Sequence, residues 1–224
     1  YAKQKSDIEN IRAFSELLDK NLFTYHFQPI VSSSTGEIVA YEALMRTKGN
    51  IALNPLQILN CAKNFGRLYD IEKATLKNTL KYLSKHQLDF ENRRLYINSI
   101  SSHALDDKDF YAIVNDYGEL LEKVVIEMTE QTEISEDDLD RIRVRLEKNN
   151  MSLAIDDYGT GYSNTSNLLR YDPEVVKIDR SLISGIDQNS KAQKIVSKMV
   201  EYFHSSGYTA LAEGVETSEE LKTM

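Results

Sequence analysis

MSLAIDD, residues 151–157, reads as a short apolar strand that runs straight into two carboxylates, Asp156 and Asp157. The same pattern recurs on both sides of it. Glu42, Asn98, Glu127, Lys177 with Asp179, and Glu213 each stand at the end of an apolar run. Helical segments separate most of these runs, which implies parallel pairing through right-handed crossovers. Such a series builds either an open doubly wound sheet or a closed barrel. Polar strand ends decide for the barrel, because they converge there on one mouth, whereas in an open sheet they spread along an edge.

Towards the N-terminus, FTYHFQPIVS (23–32) and EIVAYEALMRT (37–47) flank the turn SSTG, which predicts a β-hairpin and therefore an antiparallel first strand. Before it, Ile8, Ile11, Phe14, Leu17 and Leu18 recur at three- and four-residue spacing, predicting a leading helix over 6–20. Further helices are expected near 55–65, 70–87, 109–121 and 190–206, with RLYIN as a strand. SEDDLDRIRVRLEKNN (135–150) opens on a serine cap and acids and closes on basic residues, matching the helix dipole. The expected organisation is a leading segment, 1–22, and one barrel domain, 23–224.

The composition, 41% hydrophobic and 28% charged over 224 residues, suffices for one large core. With 35 acidic against 27 basic residues, the net charge of −8 argues against duplex nucleic acid as a partner. An anionic substrate would need local positive charge, such as a bound cation. Cys61 is the one cysteine, which excludes an internal disulfide or multi-cysteine zinc site and fits a reducing, cytoplasmic setting. No stretch approaches the roughly 18 apolar residues of a membrane span. The chain opens on Tyr1 and closes within the helix-like SEELKTM, so both ends read as cut, and any upstream sensor or membrane domain would lie outside the chain as given.

Glu42, Asn98, Glu127, Asp156 and Asp157 form an all-oxygen set, which suits Mg²⁺ or Mn²⁺ better than zinc. A pair of such ions, roughly 3.5–4 Å apart, serves phosphodiester hydrolysis by stabilising the attacking and leaving oxygens. Any one acid after a strand equally well caps a helix or faces solvent; the series carries the signal. Lys177, between Val176 and Ile178, must find an anion if it points inward. DDYGTGYSN (156–164) is a poor dinucleotide fingerprint: Asn164 occupies the third glycine position, and the two acids would repel a pyrophosphate. A metal-proximal loop is the better account, with Tyr158 facing a ligand. No GxxxxGK stretch exists, and His26, His86, His103 and His204 lack metal-ligand spacing.

EALMR (42–46), YINSI (96–100), VIEMTE (125–130), LAIDDYGTGYS (153–163), VVKID (175–179) and LAEGVET (211–217), in this order, closely resemble the EAL domain, the bacterial cyclic di-GMP phosphodiesterase family. The resemblance runs from about Phe23 to the end. It implies a modified TIM (β/α) barrel with an antiparallel first strand, hydrolysing cyclic di-GMP to linear pGpG with two Mg²⁺ or Mn²⁺ ions. By motif position, Glu42, Asn98, Glu127 and Asp156 would bind metal, and Asp157 the second ion. Lys177 would position the attacking water, Glu213 would act as general base, and Glu216 would support hydrogen bonds at the metal site. Arg46 would hold a substrate phosphate and Gln28 would contact ligand, while Glu130 would brace the DDYGTG loop. The resemblance also implies a homodimer through the face near that loop.

Two departures stand out. The family's NIS-like pattern is Asn98-Ser99-Ile100 here, a displaced serine expected to affect packing more than coordination. The family's last strand, with its QGY-like motif, is expected beyond Met224, so the C-terminal strand is missing from the chain as given. A cyclic di-GMP receptor without turnover would be expected to lose metal ligands, and none is lost. An enolase-like lyase using Lys177 as base would not need EALMR or DDYGTGYS.

Overall fold

A computed structural model describes residues 2–91, 93–129, 134–160 and 165–224. The chain divides into two units, residues 1–30 with 38–124 and residues 31–37 with 125–224. The first unit contains α1 (Ala2–Asp19), all but the last residue of β1 (Phe23–Val31), β2 (Ile38–Thr47), α2 (Pro55–Asn64), α3 (Leu68–Lys85), the single turn α4 (Gln87–Phe90), β3 (Arg94–Asn98) and α5 (Asp107–Tyr117). Its strands lie in the order β1-β2-β3. β2 returns along β1, and Lys48 N–H closes the far end of the hairpin on the Leu22 carbonyl at 2.8 Å, so this pair is antiparallel as the turn predicts. β3 then joins β2 in parallel, with Glu42 opposite Tyr96 and Ala43 opposite Ile97.

The apolar periodicity holds α1 only in part: Phe14 and Leu17 are buried, but Ile11 is exposed. Asn54 caps α2 through a reciprocal bond with Gln57, and Pro55 fills the first helical position, where no N–H is needed. The helix expected over 109–121 starts earlier, capped by Asp106. Its α-helical part stops at Tyr117, and Gly118–Lys123 continues as a 3₁₀ segment. Gly118 explains the change, since glycine is the weakest α-helix former after proline.

The second unit contains all but the first residue of β4 (Val124–Thr129), then α6 (Glu136–Lys148), β5 (Ser152–Tyr158), α7 (Thr165–Tyr171), β6 (Val175–Ile178), the turn α8 (Arg180–Ile183), α9 (Ser190–Ser205), β7 (Thr209–Ala212) and α10 (Ser218–Thr223). Its strands follow in the order β4-β5-β6-β7, all parallel. Met128, Leu153, Ile155, Val176 and Ile178 join Leu139, Leu168, Val196 and Phe203 in one apolar core. Alternation along a strand therefore leaves Glu127, Asp156 and Lys177 for the opposite face. No helix among the described residues is long and apolar enough to cross a membrane.

Candidate metal and catalytic centre

Lys177 is the focus of the second unit. Its side chain is 1% exposed, yet the ammonium has three carboxylate partners: Glu127 at 2.6 Å, Glu213 at 2.7 Å and Asp156 at 3.0 Å. Register explains the meeting. Thr129 pairs with Asp156 across β4 and β5, Lys177 pairs with Leu211 across β6 and β7, and Glu213 N–H bonds the Ile178 carbonyl at 3.0 Å. Residues two apart share a face, so Glu127, Asp156, Lys177 and Glu213 all leave the sheet on the same side.

Asp157 ought by alternation to point the other way, into the core. A bulge prevents this. Ile155 pairs with Val176 and Tyr158 with Ile178, so Asp156 and Asp157 together oppose Lys177 alone. The extra residue takes up a left-handed backbone, φ +59° at Asp157, a conformation uncommon for residues other than glycine. As a result Asp156, Asp157 and Glu213 each offer an oxygen within 4.8 Å of the others. Burial, then the carboxylates of Asp156 and Asp179, push the Asp157 carboxyl above its ordinary value, with Lys177 opposing. A hard divalent cation fits this group, because its donors are all oxygens and closely spaced, and the single Lys177 ammonium leaves much of their negative charge uncompensated.

The bulge also decides the place of Tyr158. Restored to the core face, its ring is 8% exposed and packs edge-on against Phe203, with centroids 5.3 Å apart. The side chain expected to face a ligand thus lies in the core.

The segment carrying Glu213 and Glu216 is braced twice. Gly214 has φ +68°, and the Arg180 stem packs so closely over it that a Cβ there would stand 2.7 Å from Arg180 Cβ. The Arg180 guanidinium pairs with Glu216 at 2.8 Å. Beneath this, Glu220 accepts N–H bonds from Gly185 at 2.7 Å, Glu216 at 2.8 Å and Thr217 at 3.0 Å, which hold its carboxyl below the usual value. Sequence reading missed Glu220, although Thr217-x-x-Glu220 is a capping-box signature, and the structure contains that box. Glu130, the expected loop brace, lies outside the described residues, as do Gly161 and Asn164.

In the first unit, Asn98 Nδ2 donates to Glu42 Oε1 at 3.1 Å, joining two of the expected ligands across β2 and β3. Behind Asn98, Glu72 on α3 accepts from the Ser99 hydroxyl at 2.7 Å and from Ile100 N–H at 2.6 Å. Burial pushes the Glu72 carboxyl up, and these two donors oppose the shift. Sequence reading also missed Glu72, whose partners lie 27 and 28 residues away. Arg46 bonds the Met45 carbonyl at 2.7 Å, and Gln28 is exposed on β1.

An α/β fold with carboxylates gathered at its strand ends around a buried lysine has known counterparts. The chain belongs to the EAL domain family, whose model matches residues 11–224. Cyclic di-GMP phosphodiesterase PdeL of Escherichia coli is 29% identical over 220 residues, covering 95% of this chain and 60% of that protein. Cyclic di-GMP phosphodiesterase NbdA of Pseudomonas aeruginosa is 28% identical over 209 residues, covering 88% of this chain and 26% of its own length. The chain thus spans less than two thirds of either relative. Among solved structures, the calcium/cy-diGMP complex of Klebsiella pneumoniae BlrP1 superposes with a TM-score of 0.77 at 28% identity, covering 90% of this chain and 52% of that one. The fold class is accordingly the TIM-barrel-like fold of EAL domains.

Proposed function

We propose that the chain is a metal-dependent phosphodiesterase that hydrolyses cyclic di-GMP to linear pGpG. The observation that carries the reading is the buried Lys177 ammonium among Glu127, Asp156 and Glu213, with Asp157 brought beside them by the bulge. The names of PdeL and NbdA and the ligand of BlrP1 support the choice of substrate.

Glu42, Asn98, Glu127, Asp156 and Asp157 are the proposed oxygen ligands of Mg²⁺ or Mn²⁺. Such ions supply Lewis-acid stabilisation of phosphoryl oxygens and lower the pKa of bound water. Lys177 holds three carboxylates in one arrangement and, through them, positions the attacking water. Glu213, 23% exposed and hydrogen-bonded through its own N–H to β6, accepts the proton that this water loses. Arg46 offers a planar donor fork to a phosphate of the substrate, and exposed Gln28 contacts the ligand. Glu216, anchored by Arg180, keeps the Glu213 turn in place.

Incubation with cyclic di-GMP and Mg²⁺ or Mn²⁺, followed by product analysis, tests the reading. Linear pGpG is expected from the wild type and none from Glu42→Ala. Tight binding of cyclic di-GMP without product would replace the enzyme by a receptor.

A further inference from the structure

We propose that Glu72 and Ser99 act as a positioning pair that sets the orientation of Asn98 as a metal ligand; the inference rests on the phosphodiesterase reading above. Glu72 belongs to α3 and is 9% exposed. Both of its carboxylate oxygens are directed at the two residues immediately after Asn98: one accepts the Ser99 hydroxyl at 2.7 Å, the other Ile100 N–H at 2.6 Å. The Ile100 N–H can only donate, and the Ser99 hydroxyl donates to the other oxygen, so the carboxylate acts as a two-point acceptor. A buried carboxylate that lost either bond would retain its desolvation cost without compensation. The anchor is therefore stiff, and it grips the chain where β3 has ended and ladder bonds no longer hold it.

Asn98 stands between this anchor and Glu42. Its amide nitrogen donates to Glu42 at 3.1 Å, and its amide oxygen is the atom that a hard cation takes. Turning the backbone at Ser99 would swing that oxygen. The displaced serine of Asn98-Ser99-Ile100 thus has more than a packing consequence: placed directly after the ligand, its hydroxyl ties the ligand's own peptide neighbour to α3. Neither Glu72 nor Ser99 needs to touch substrate or metal to do this.

Mn²⁺ affinity, read from the electron paramagnetic resonance signal of free Mn²⁺, tests the pair alongside kcat and KM for cyclic di-GMP. Ser99→Ala and Glu72→Gln should each raise the Mn²⁺ Kd about 10-fold and lower kcat, the usual scale for a partner that orients a ligand. Ser99→Thr keeps the hydroxyl and should restore wild-type affinity. In an Asn98→Ala background, Ser99→Ala should add nothing, because its effect passes through Asn98. Unchanged Mn²⁺ affinity in Ser99→Ala, or the same loss with and without Asn98, would overturn the inference. Ser99→Ala removes one hydroxyl from a half-buried site, so the test survives if Glu72→Gln does not fold. Wild-type protein that binds no Mn²⁺ and forms no pGpG would remove the phosphodiesterase reading itself, and this inference with it, before any variant is compared.

Discussion

Lys177 Nζ lies 2.6 Å from Glu127 Oε1, and neither side chain exposes more than 1% of its surface. Removing one member of such a pair leaves a buried charge without its counterion, which costs about 3–5 kcal/mol. Lys177→Met should therefore lower the urea midpoint markedly and abolish turnover. Mn²⁺ should restore part of the lost stability, because a cation that binds only the folded state stabilises it by mass action. A variant as stable as wild type in EDTA would show that the ammonium does not hold the carboxylates together.

The Glu220 carboxyl is held below its ordinary value of 4.5 by N–H groups of Gly185, Glu216 and Thr217. The folded state thus binds its proton less readily than the unfolded state. The resulting stabilisation is complete above about pH 4.5 and is lost as the pH falls through the lower folded value. Glu220→Gln should be less stable than wild type at pH 7, and the gap in urea midpoint should narrow at pH 3. An equal gap at both values would mean that these bonds do not depend on the charge.

Much of this centre is legible in the chain because apolar strands that end on carboxylates leave a local trace. MSLAIDD and VVKID give the strands and their polar ends, and Lys177 between Val176 and Ile178 requires an anion if it faces inward, as it does. The bulge leaves no such trace. Asp156 and Asp157 read as alternating residues, and only the pairing of Ile155 with Val176 and Tyr158 with Ile178 shows that both oppose Lys177. The same shift returns Tyr158 to the core, which is why a residue beside two acids is a packing residue here. Glu72 was hidden for a related reason: it bonds Ser99 and Ile100, 27 and 28 residues away, and a lone acid on a helix ordinarily faces water. Glu220 leaves a local trace in its capping box, but its bond to Gly185, 35 residues away, leaves none.

Gly214 and Gly207 separate backbone conformation from local crowding. Both have positive φ, +68° and +85°, but a Cβ on Gly214 would overlap the Arg180 stem, whereas one on Gly207 would meet nothing within 4 Å. Gly207→Ala should cost about 1 kcal/mol, the penalty for an L-residue in this region, with kcat unchanged. Gly214→Ala should cost more and also lower kcat, because Arg180 must move away from a turn that begins one residue after Glu213. Denaturation midpoints and steady-state rates on the two variants check this. Equal losses in both measurements would remove any special role for the Arg180 packing.

Asp157 combines two opposing demands. Its carboxylate is the one that the bulge adds to Asp156 and Glu213, and its left-handed backbone, φ +59°, is one that glycine adopts without penalty. Its charge, moreover, is disfavoured by burial and by Asp156. Asp157→Gly should therefore leave stability in EDTA unchanged or raise it by up to about 1 kcal/mol, since relief of strain and repulsion offsets the greater freedom of glycine in the unfolded chain. Mn²⁺ affinity and turnover should fall in the same variant. Asp157→Asn keeps a side chain that tolerates the left-handed region but removes the charge, so it should lose Mn²⁺ affinity without the gain from strain relief. If Asp157→Gly instead unfolded at a markedly lower urea concentration than the wild type in EDTA, relief of strain and repulsion would not offset the freedom of glycine, and the strain assigned to this position would be too small to shape the bulge.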